Sequence, residues 1–546
     1  MKKDDYKEKV NNLLEDQTIY RKRKADPTSS IEKQNNNIVK LFKEKNFIND
    51  FEKKNLTKYN SVAPRFYGLP KIHKENVPLR PIISSINSPT RELEKYIANI
   101  LKQSFSDYHT FAIKDSWSFA EKMNNFKLPD NYVLISLDAV SLFTNIGLYL
   151  VLKIIDSEWN RIASVSNLPK KEFVDTITFL FNSNYFVYED NFYSQIFGCP
   201  MGSCLSPVLA NIVMSSLLKN CIPKLTFNLP FLYQYVDDLI MSIPESSLEE
   251  ILTVFNSFDN HIKFTVETET NKSVPFLDTK LIRNEDNIII LDWYQKPTNS
   301  GRYINFHSYH SCRIKTNMIK GLKCRIQKIA HPSKRDDALK KLFRIMFENG
   351  YPSPMLKKLI FNTNAERRIE NHENPEISSQ DTEATFKYKV FPYHAKLNRQ
   401  LSKVFRNIDN LKLSYYSSNR IGRLFDKQKF KIPLKKKSNI IYEIPCNNCE
   451  ETYIGQTSQT LEKRINLHKS DIRLHPERCA LAKHVQNTGH KIDFNNVKIK
   501  TSENSYKKRL FLEMCYINSN QNSMNLKSDV ENLSIIYNNL LRADRD

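Results

Sequence analysis

Long hydrophobic runs are what this chain lacks most plainly. No apolar stretch reaches membrane-spanning length, mean hydropathy is −0.53, and no amphipathic anchor stands out. That excludes a membrane-embedded protein and disfavours a lipid-surface one. The opening MKKDDYKEKV has no apolar signal-peptide core, so a reducing compartment is expected. Cysteine is also scarce. Nine in 546 residues are too few for a disulfide scaffold, and any that cluster are better read as metal ligands. Acidic charge falls short of basic, 60 Asp and Glu against 82 Lys and Arg, for a formal +22 and a pI near 9.3. A surplus of that size points to a polyanionic partner, because a basic face gains affinity by releasing counterions from phosphate backbones. Tandem repeats are absent as well.

The length allows several domains. Residues 1–60 are rich in Lys, Asn and Glu and carry RKRK at 21–24, readable as a nuclear-import or nucleic-acid patch or as a solvated helix face. Mixed helix and strand patterns fill 61–300. Basic segments with helical apolar spacing, GLKCRIQKIA and DDALKKLFRIMFENG, follow within 301–361. The polar run 362–384 breaks the pattern, so 362–437 reads as a linker and basic connector ending in NRIGRLFDKQKFKIPLKKK. A small module over 438–530 and a tail over 531–546 complete the chain.

FLYQYVDDLIMSI (231–243) sets two carboxylates, Asp237 and Asp238, inside an apolar run suited to strands. A hairpin bending at Asp237-Asp238 is the natural local structure. An isolated pair would be an ordinary surface turn, but two adjacent like charges resist joint ionisation unless a cation neutralises them. Upstream, YVLISLDAVSLFTNI (132–146) reads as a strand with Asp138 at its end. Meeting on one sheet, the three Asp could hold two Mg²⁺ ions about 3.5–4 Å apart for phosphoryl transfer. Between them, IFGCPMGSCLSPVLANIVMSSLLKN (196–220) offers Gly198 and Gly202 in a flexible turn, then a helix with Pro207 near its start. Small residues there permit close approach of a backbone to a base pair or template. FYGLPKIHKENVPLRPIISSINSPT (66–90) places Lys71 and Arg80 on a two-stranded finger, where cations could grip a triphosphate. Phe143 is either a core aromatic or a ring beneath the incoming sugar.

In this order the blocks resemble a reverse transcriptase over residues 61 to about 300. HIKFTVETETNKSVPFLDTKLIR (261–283) and WYQKPTNSGRYINFHSYHS (293–311) are similar to the Penelope-like retroelement branch. The resemblance implies a right-hand α/β fold with fingers and palm over 61–300 and a helical thumb over 301–361. By it Asp138, Asp237 and Asp238 bear Mg²⁺ or Mn²⁺, Lys71 and Arg80 contact the nucleotide, and Phe143 is the steric gate. Gly202 lies along the nucleic acid, and FLDTKL near 276–281 positions the primer end. Met201 stands where many reverse transcriptases have Gln, a branch variation that leaves the carboxylates intact.

NIIYEIPCNNCEETYIGQTSQTLEKRINLHKSDI (439–472) reads as two strands joined by a loop holding Cys446 and Cys449. A helix follows, with Arg464 and His468 on one face. Tyr or His can take a proton from water while Arg stabilises phosphorane charge. Glu513, in the helical KKRLFLEMCYI, is the candidate metal carboxylate. The pattern resembles the GIY-YIG endonucleases over about 439–526. That resemblance implies paired tyrosines Tyr442 and Tyr453, Gly455 closing the second strand, the helix pair Arg464 and His468, Mg²⁺ on Glu513 and a terminal Asn at Asn525, with Asn520 and Asn522 as neighbours. Ile440 replaces the first Gly of the motif name. Cys446 and Cys449 join His484 and His490 as a Cys₂His₂ zinc set with a long insertion, Cys479 being a spare ligand. Four protein ligands leave no open position, so such a zinc is structural.

Together these features predict a multidomain α/β protein: a reverse transcriptase hand plus a small C-terminal nuclease. Kinship implies partners of RNA template, DNA primer and target, and dNTPs, with synthesis in the cytoplasm and action in the nucleus. Penelope-like proteins often carry a longer region before the fingers, whereas this chain starts some sixty residues before GLPK, as a 5′-truncated element would. The rival class is an inactive or co-opted nucleic-acid-binding copy, against which the intact Asp138, Asp237, Asp238, Arg464 and Glu513 argue. A telomere-maintaining polymerase would not carry the C-terminal module.

Overall fold

The computed structural model describes every residue except 73, 363–386, 409, 418–420, 426–428, 535 and 538–546. Its N-terminal region is folded. Helix Lys3–Leu14 presses Val10 and Leu14 against Phe66 and Phe186. The RKRK patch is not on a helix: Arg21, Lys22 and Arg23 lie on β1 (Tyr20–Arg23), with Tyr20 buried and the three cations exposed. One buried anchor among charges suits an edge strand, because exposed cations discourage pairing with another chain. Helices Thr28–Glu44 and Asp50–Leu56 follow, the second started by an Asn49–Glu52 capping box.

The finger expected at 66–90 is the hairpin of β2 (Arg65–Pro70) and β3 (Leu79–Ser84), with Leu69 opposite Arg80. Next comes β4 (Tyr132–Ala139), whose Leu134, Ile135 and Leu137 are fully buried. β5 (Tyr185–Tyr188) and β6 (Asn191–Gln195) complete a first sheet in the order β1-β6-β5-β2-β3. β7 (Leu232–Tyr235), β8 (Asp238–Pro244) and β9 (Phe264–Thr268) join β4 in a second sheet ordered β7-β8-β4-β9. Helix Ser206–Cys221 lies in the same core, with Leu209, Val213 and Leu217 buried, and Pro207 occupies its first turn as expected.

β10 (Ser273–Phe276), β11 (Thr279–Arg283) and β12 (Ile289–Trp293) form a third, antiparallel sheet. Trp293 packs into three helices, Cys312–Ile329, Pro332–Glu348 and Ser353–Ile360, around Ile319, Ile326, Leu342, Met346 and Leu356. This is the helical unit anticipated over 301–361. The anticipated linker lies outside the described residues beyond 362. The connector after it is more structured than its composition suggested: β13 (Lys387–Pro392), helix Ala395–Val404 and β14 (Leu411–Tyr416) make a parallel β-α-β unit. Abundant lysine masked a two-residue alternation over KYKVF and LKLSYY. The C-terminal module is a sheet of β15 (Ile440–Pro445), β16 (Thr452–Thr457) and β17 (Lys498–Ser502), ordered β16-β15-β17. Helices Leu461–Leu474, Ala480–Thr488 and Tyr506–Ser519 accompany it.

Gly202 pins the finger to the central core. Its φ is +122°, and a Cβ there would stand 2.2 Å from the Ile83 carbonyl oxygen of β3. The close approach that glycine permits is thus to the chain's own finger strand, where Ile83 N–H donates to Met201 O (2.8 Å) and the Ser85 hydroxyl to Gly202 O (3.1 Å). Gly202→Ala is therefore expected to cost about 1–3 kcal/mol, read as earlier melting of the first unfolding transition of the intact chain. Unchanged melting would refute this packing.

Candidate active sites and a candidate metal centre

The first site is built on the register of two strands. β4 and β8 pair antiparallel with Asp138 directly opposite Asp238 and Leu137 opposite Leu239. The expected bend needs one correction: the two-residue turn is Val236-Asp237, and Asp238 is already the first residue of β8. Val236 has φ +57°, a left-handed conformation that a β-branched residue rarely adopts. Buried Gln234 steadies it by donating from Nε2 to the Val236 carbonyl (3.0 Å). The Asp237 carbonyl accepts the Ala139 N–H (3.3 Å), which ties the turn back to β4.

The three carboxylates repel one another. Partial burial, then the charges of Asp237 and Asp138, push Asp238 up to about 6, and partial burial and Asp237 likewise raise Asp138. A site that makes carboxylates hold protons is one that a divalent cation would relieve, so the donor set fits Mg²⁺ or Mn²⁺. Lys71, just past β2, is within electrostatic reach of Asp138 and Asp237, and desolvation together with Lys74 and Arg80 lowers its own pKa. Arg80 is exposed on β3. Phe143, in the short helix Leu142–Asn145, is half-buried against the core. Asp138 and Asp238 line a cleft of about 590 Å³ shared with Phe276, Leu277, Tyr294 and Lys296. Phe276 and Leu277 of the FLDTKL segment thus share the cleft with the carboxylates.

The second site grows from the β15–β16 hairpin, where Tyr442 faces Gly455 in register. A Cβ on Gly455 would stand 2.6 Å from the Tyr442 hydroxyl and 2.8 Å from a ring carbon of Tyr453, so only glycine lets the two rings close over the strand. Tyr442 and Tyr453 sit with ring centroids 6.4 Å apart, and the Tyr442 hydroxyl is 2.7 Å from Nε2 of His468. Arg464, one helical turn before His468, donates from Nε to the same hydroxyl (3.1 Å). Burial and then the Arg464 charge hold His468 down to about 3, leaving a neutral imidazole that can take a hydrogen bond from the Tyr442 hydroxyl. Burial pushes Tyr442 up to about 12, against the pull of Arg464. Glu513 accepts the Gln456 N–H (2.8 Å), within electrostatic reach of Arg464. Asn525 brackets Ile454 of β16, its Oδ1 accepting that residue's N–H and its Nδ2 donating to the carbonyl, both at 2.9 Å. Asn520 bonds Thr452 and Asn522 bonds Glu450, so only Asn525 braces the strand between the tyrosine and the glycine. Ile440 at the missing first glycine is fully buried core.

Residues 72–289 match the family described as reverse transcriptase (RNA-dependent DNA polymerase), and residues 438–524 match the GIY-YIG catalytic domain. The chain joins a reverse transcriptase domain to a GIY-YIG domain. Both are enzyme families, a nucleotidyltransferase and a nuclease. Residues 302–361, the three-helix unit, match the animal helix-turn-helix domain. Among solved structures, the chain is similar to telomerase from Candida albicans in complex with a fragment of telomeric RNA, at 12% identity and TM-score 0.40, covering 57% of this chain and 58% of that one. Apo telomerase from Candida tropicalis matches at 11% identity and TM-score 0.35 over 66% of this chain and 70% of that one. The RNA-dependent RNA polymerase of a human picobirnavirus matches at 13% and 0.35 over 58% and 62%. The chain thus spans under two thirds of the length of the Candida albicans protein. No curated protein matches it.

Within the GIY-YIG domain, Cys446, Cys449, His484 and His490 converge, their ligand atoms all within 4.8 Å of one another. Cys446 Sγ lies 3.7 Å from His490 Nδ1, and Cys449 Sγ lies 3.8 Å from His484 Nε2. Zinc bonds of ordinary length around a tetrahedron put sulfur and nitrogen about 3.6 Å apart, so the set fits. Glu451 accepts from His484 Nδ1 (2.9 Å) and so fixes the tautomer that leaves Nε2 free to ligate. Cys479 is no substitute ligand. It opens helix Ala480–Thr488, and its Sγ sits 3.8 Å from Nδ1 of His468, beside the Tyr442–Arg464 pair.

One residue escaped the sequence reading, and another was assigned to the wrong cluster. Lys296 lowers the proton affinity of both Asp138 and Asp238, and its signal lay in WYQKPT, which was read only as a mark of kinship. Cys479 contacts His468 by a juxtaposition that only the fold creates. All nine cysteines are free, and no described helix is long and apolar enough to cross a membrane.

Burial, ahead of any charge, raises Glu513 to about 7. The folded chain therefore holds this proton to a higher pH than the unfolded chain, so the ionised carboxylate costs stability above about pH 7 and nothing below about pH 4.5. Without metal, Glu513→Gln is expected to raise the melting temperature of the nuclease transition near pH 8. The advantage should shrink as pH falls through 7. Equal melting near pH 8 would show that the carboxylate is not desolvated.

Proposed function

We propose that the chain is the RNA-directed DNA polymerase of a Penelope-like retroelement, and that its GIY-YIG domain nicks target DNA to supply the primer. The carrying observation is the presence, on one polypeptide, of three carboxylates on paired strands and a buried Tyr–His–Arg cluster facing a fourth carboxylate. Asp138, Asp237 and Asp238 would hold Mg²⁺ or Mn²⁺, which when bound neutralises the attacking and leaving oxygens. Lys71 and Arg80 orient the triphosphate of a dNTP. Phe143 excludes a 2′-hydroxyl, and Gly202 keeps the finger against the core beneath the template. Phe276 and Leu277 flank the primer end.

In the nuclease, neutral His468 accepts the hydrogen bond of the Tyr442 hydroxyl and so orients that oxygen toward the attacking water. Arg464 offsets charge on the phosphorane, and Glu513 would hold the metal ion. Tyr453 shapes the pocket, and Asn525 fixes the strand that carries it. Cys446, Cys449, His484 and His490 would hold zinc, which would clip the β15–β16 loop to helix Ala480–Thr488 and the segment after it. The order of sequence blocks and the WYQKPT segment support the Penelope-like branch. An RNA template and a chromosomal DNA target imply action in the nucleus after synthesis in the cytoplasm.

Separable variants test the two activities. Asp237→Ala/Asp238→Ala is expected to abolish primer extension on RNA while leaving plasmid nicking intact, and Glu513→Gln to do the reverse. A folded parent that binds a primer–template hybrid yet neither extends nor nicks would overturn the reading in favour of a binding role. For the zinc, metal analysis of the purified chain should find one equivalent, lost in Cys449→Ser together with early melting of the nuclease. Full retention of zinc in that variant would refute the site.

A further inference from the structure

The connector holds a binding surface that neither catalytic site uses. Residues 387–437 carry fifteen Lys or Arg against two Asp and no Glu, a surplus of thirteen within a chain whose total is +22. Inside that stretch, the β13–β14 sheet has two unlike faces. Register pairs Phe391 with Tyr415, and this side is covered by helix Ala395–Val404. Phe391 meets Phe405 at 6.4 Å, and the Tyr415 hydroxyl meets Ser402 at 2.9 Å. The alternate residues point the other way, as the two-residue period of a strand requires. There Tyr388, Val390 and Tyr416 are 61, 62 and 42% exposed. A tyrosine is set at each end of an open two-stranded face, about 13 Å apart along the strands.

We infer that this face is a stacking platform for a single-stranded polynucleotide. Exposed aromatics on a sheet take unpaired bases, while the dense cationic surround draws the phosphates, and neither needs a particular sequence. Charge decides the partner. An acidic protein would be matched by the lysines but would have no use for rings standing free of any apolar pocket. The unit is also well placed. Tyr393, between β13 and helix Ala395–Val404, packs on Tyr309 of the segment leading into the three-helix unit (5.4 Å). At its exit, Phe430 packs on Tyr188 of the finger sheet (5.4 Å), and its carbonyl accepts from Arg65 (3.0 Å). Seven residues on, the Lys437 carbonyl accepts the N–H of Leu461, at the start of the Arg464 helix. A strand held here lies between polymerase and nuclease. Its being template or nicked strand rests on the function proposed above, whereas the binding itself does not.

The test is fluorescence anisotropy of the intact chain with labelled oligothymidylate, oligouridylate, an abasic strand of equal charge and a duplex. Tyr388→Ala and Tyr416→Ala are each expected to weaken binding of the base-bearing single strands by about 5-fold or more, with Tyr→Phe variants within about twofold of the parent. The abasic strand should bind the parent weakly and be indifferent to the substitutions. The thymidylate and uridylate arms tell DNA from RNA. Should an alanine variant melt early, Tyr388→Leu keeps apolar bulk and removes the ring. Equal affinity of parent and variants, or of abasic and base-bearing strands, overturns the platform. Primer extension is measured alongside. Loss of binding in the variants of a parent that extends nothing upholds the platform and sinks the polymerase reading, and extension with unchanged binding does the opposite.

Discussion

The pairing of β4 with β8 is the constraint on which the polymerase half depends. Every residue from Leu134 to Leu137 on one strand and from Leu239 to Ser242 on the other is aligned by that register, which also sets Asp138 beside Asp238. A slip of one residue would turn Leu137 and Leu239 toward the cleft and the carboxylates toward the core. Burial of Leu134, Ile135, Leu137, Leu239, Ile240 and Met241 therefore fixes charged groups that would otherwise drive the strands apart. Hydrophobic packing holds an electrostatic conflict in place. The strained Val236 turn and the raised proton affinity of Asp238 are two expressions of it.

The nuclease half resolves the same problem differently. Here the polar groups are buried or half-buried, and each is answered by a partner. The Tyr442 hydroxyl meets both His468 and Arg464, Glu513 takes a backbone N–H, and Asn525 satisfies both polar groups of Ile454. Such a network is costly if incomplete and specific if complete. Its completeness rests on Gly455, because any side chain there would part Tyr442 from Tyr453. The metal-ligand cluster lies at the far end of the same hairpin, so closing it steadies the strands that carry both tyrosines.

Much of this was legible in the sequence because the chemistry demands residue types that stand out against their surroundings. Adjacent aspartates inside an apolar strand, a Cys-x-x-Cys in a cysteine-poor chain, and Arg and His four apart on a helix each stood out, though alone each has an ordinary structural reading and only their order along the chain gave them weight. What did not read were features set by tertiary contact. Gly202 was legible as a close approach, but not as an approach to β3, since nothing local names the partner. The turn at Val236 was displaced by one residue because propensity favours Asp over Val at a bend, and Gln234 overrides that from the strand beneath. Cys479 lies near His484 in sequence, yet the helix it begins carries the two apart and sets the thiol against His468. In the connector and in β1, lysine and arginine hid strands, because charge is a surface signal and says little about the backbone beneath it.

Lys296 and the connector extend one electrostatic pattern along the chain. A cation near two carboxylates lowers their proton affinity and keeps them ready for metal, and with Lys71 and Lys74 it offsets the negative charge that Asp138, Asp237 and Asp238 concentrate. The bulk of the surplus lies elsewhere, on a segment with almost no acidic residues to answer it. Charge of one sign at that density repels itself, and binding a polyanion relieves it. The basic character of the chain is therefore uneven: locally balanced around the three aspartates, and in large surplus along the connector.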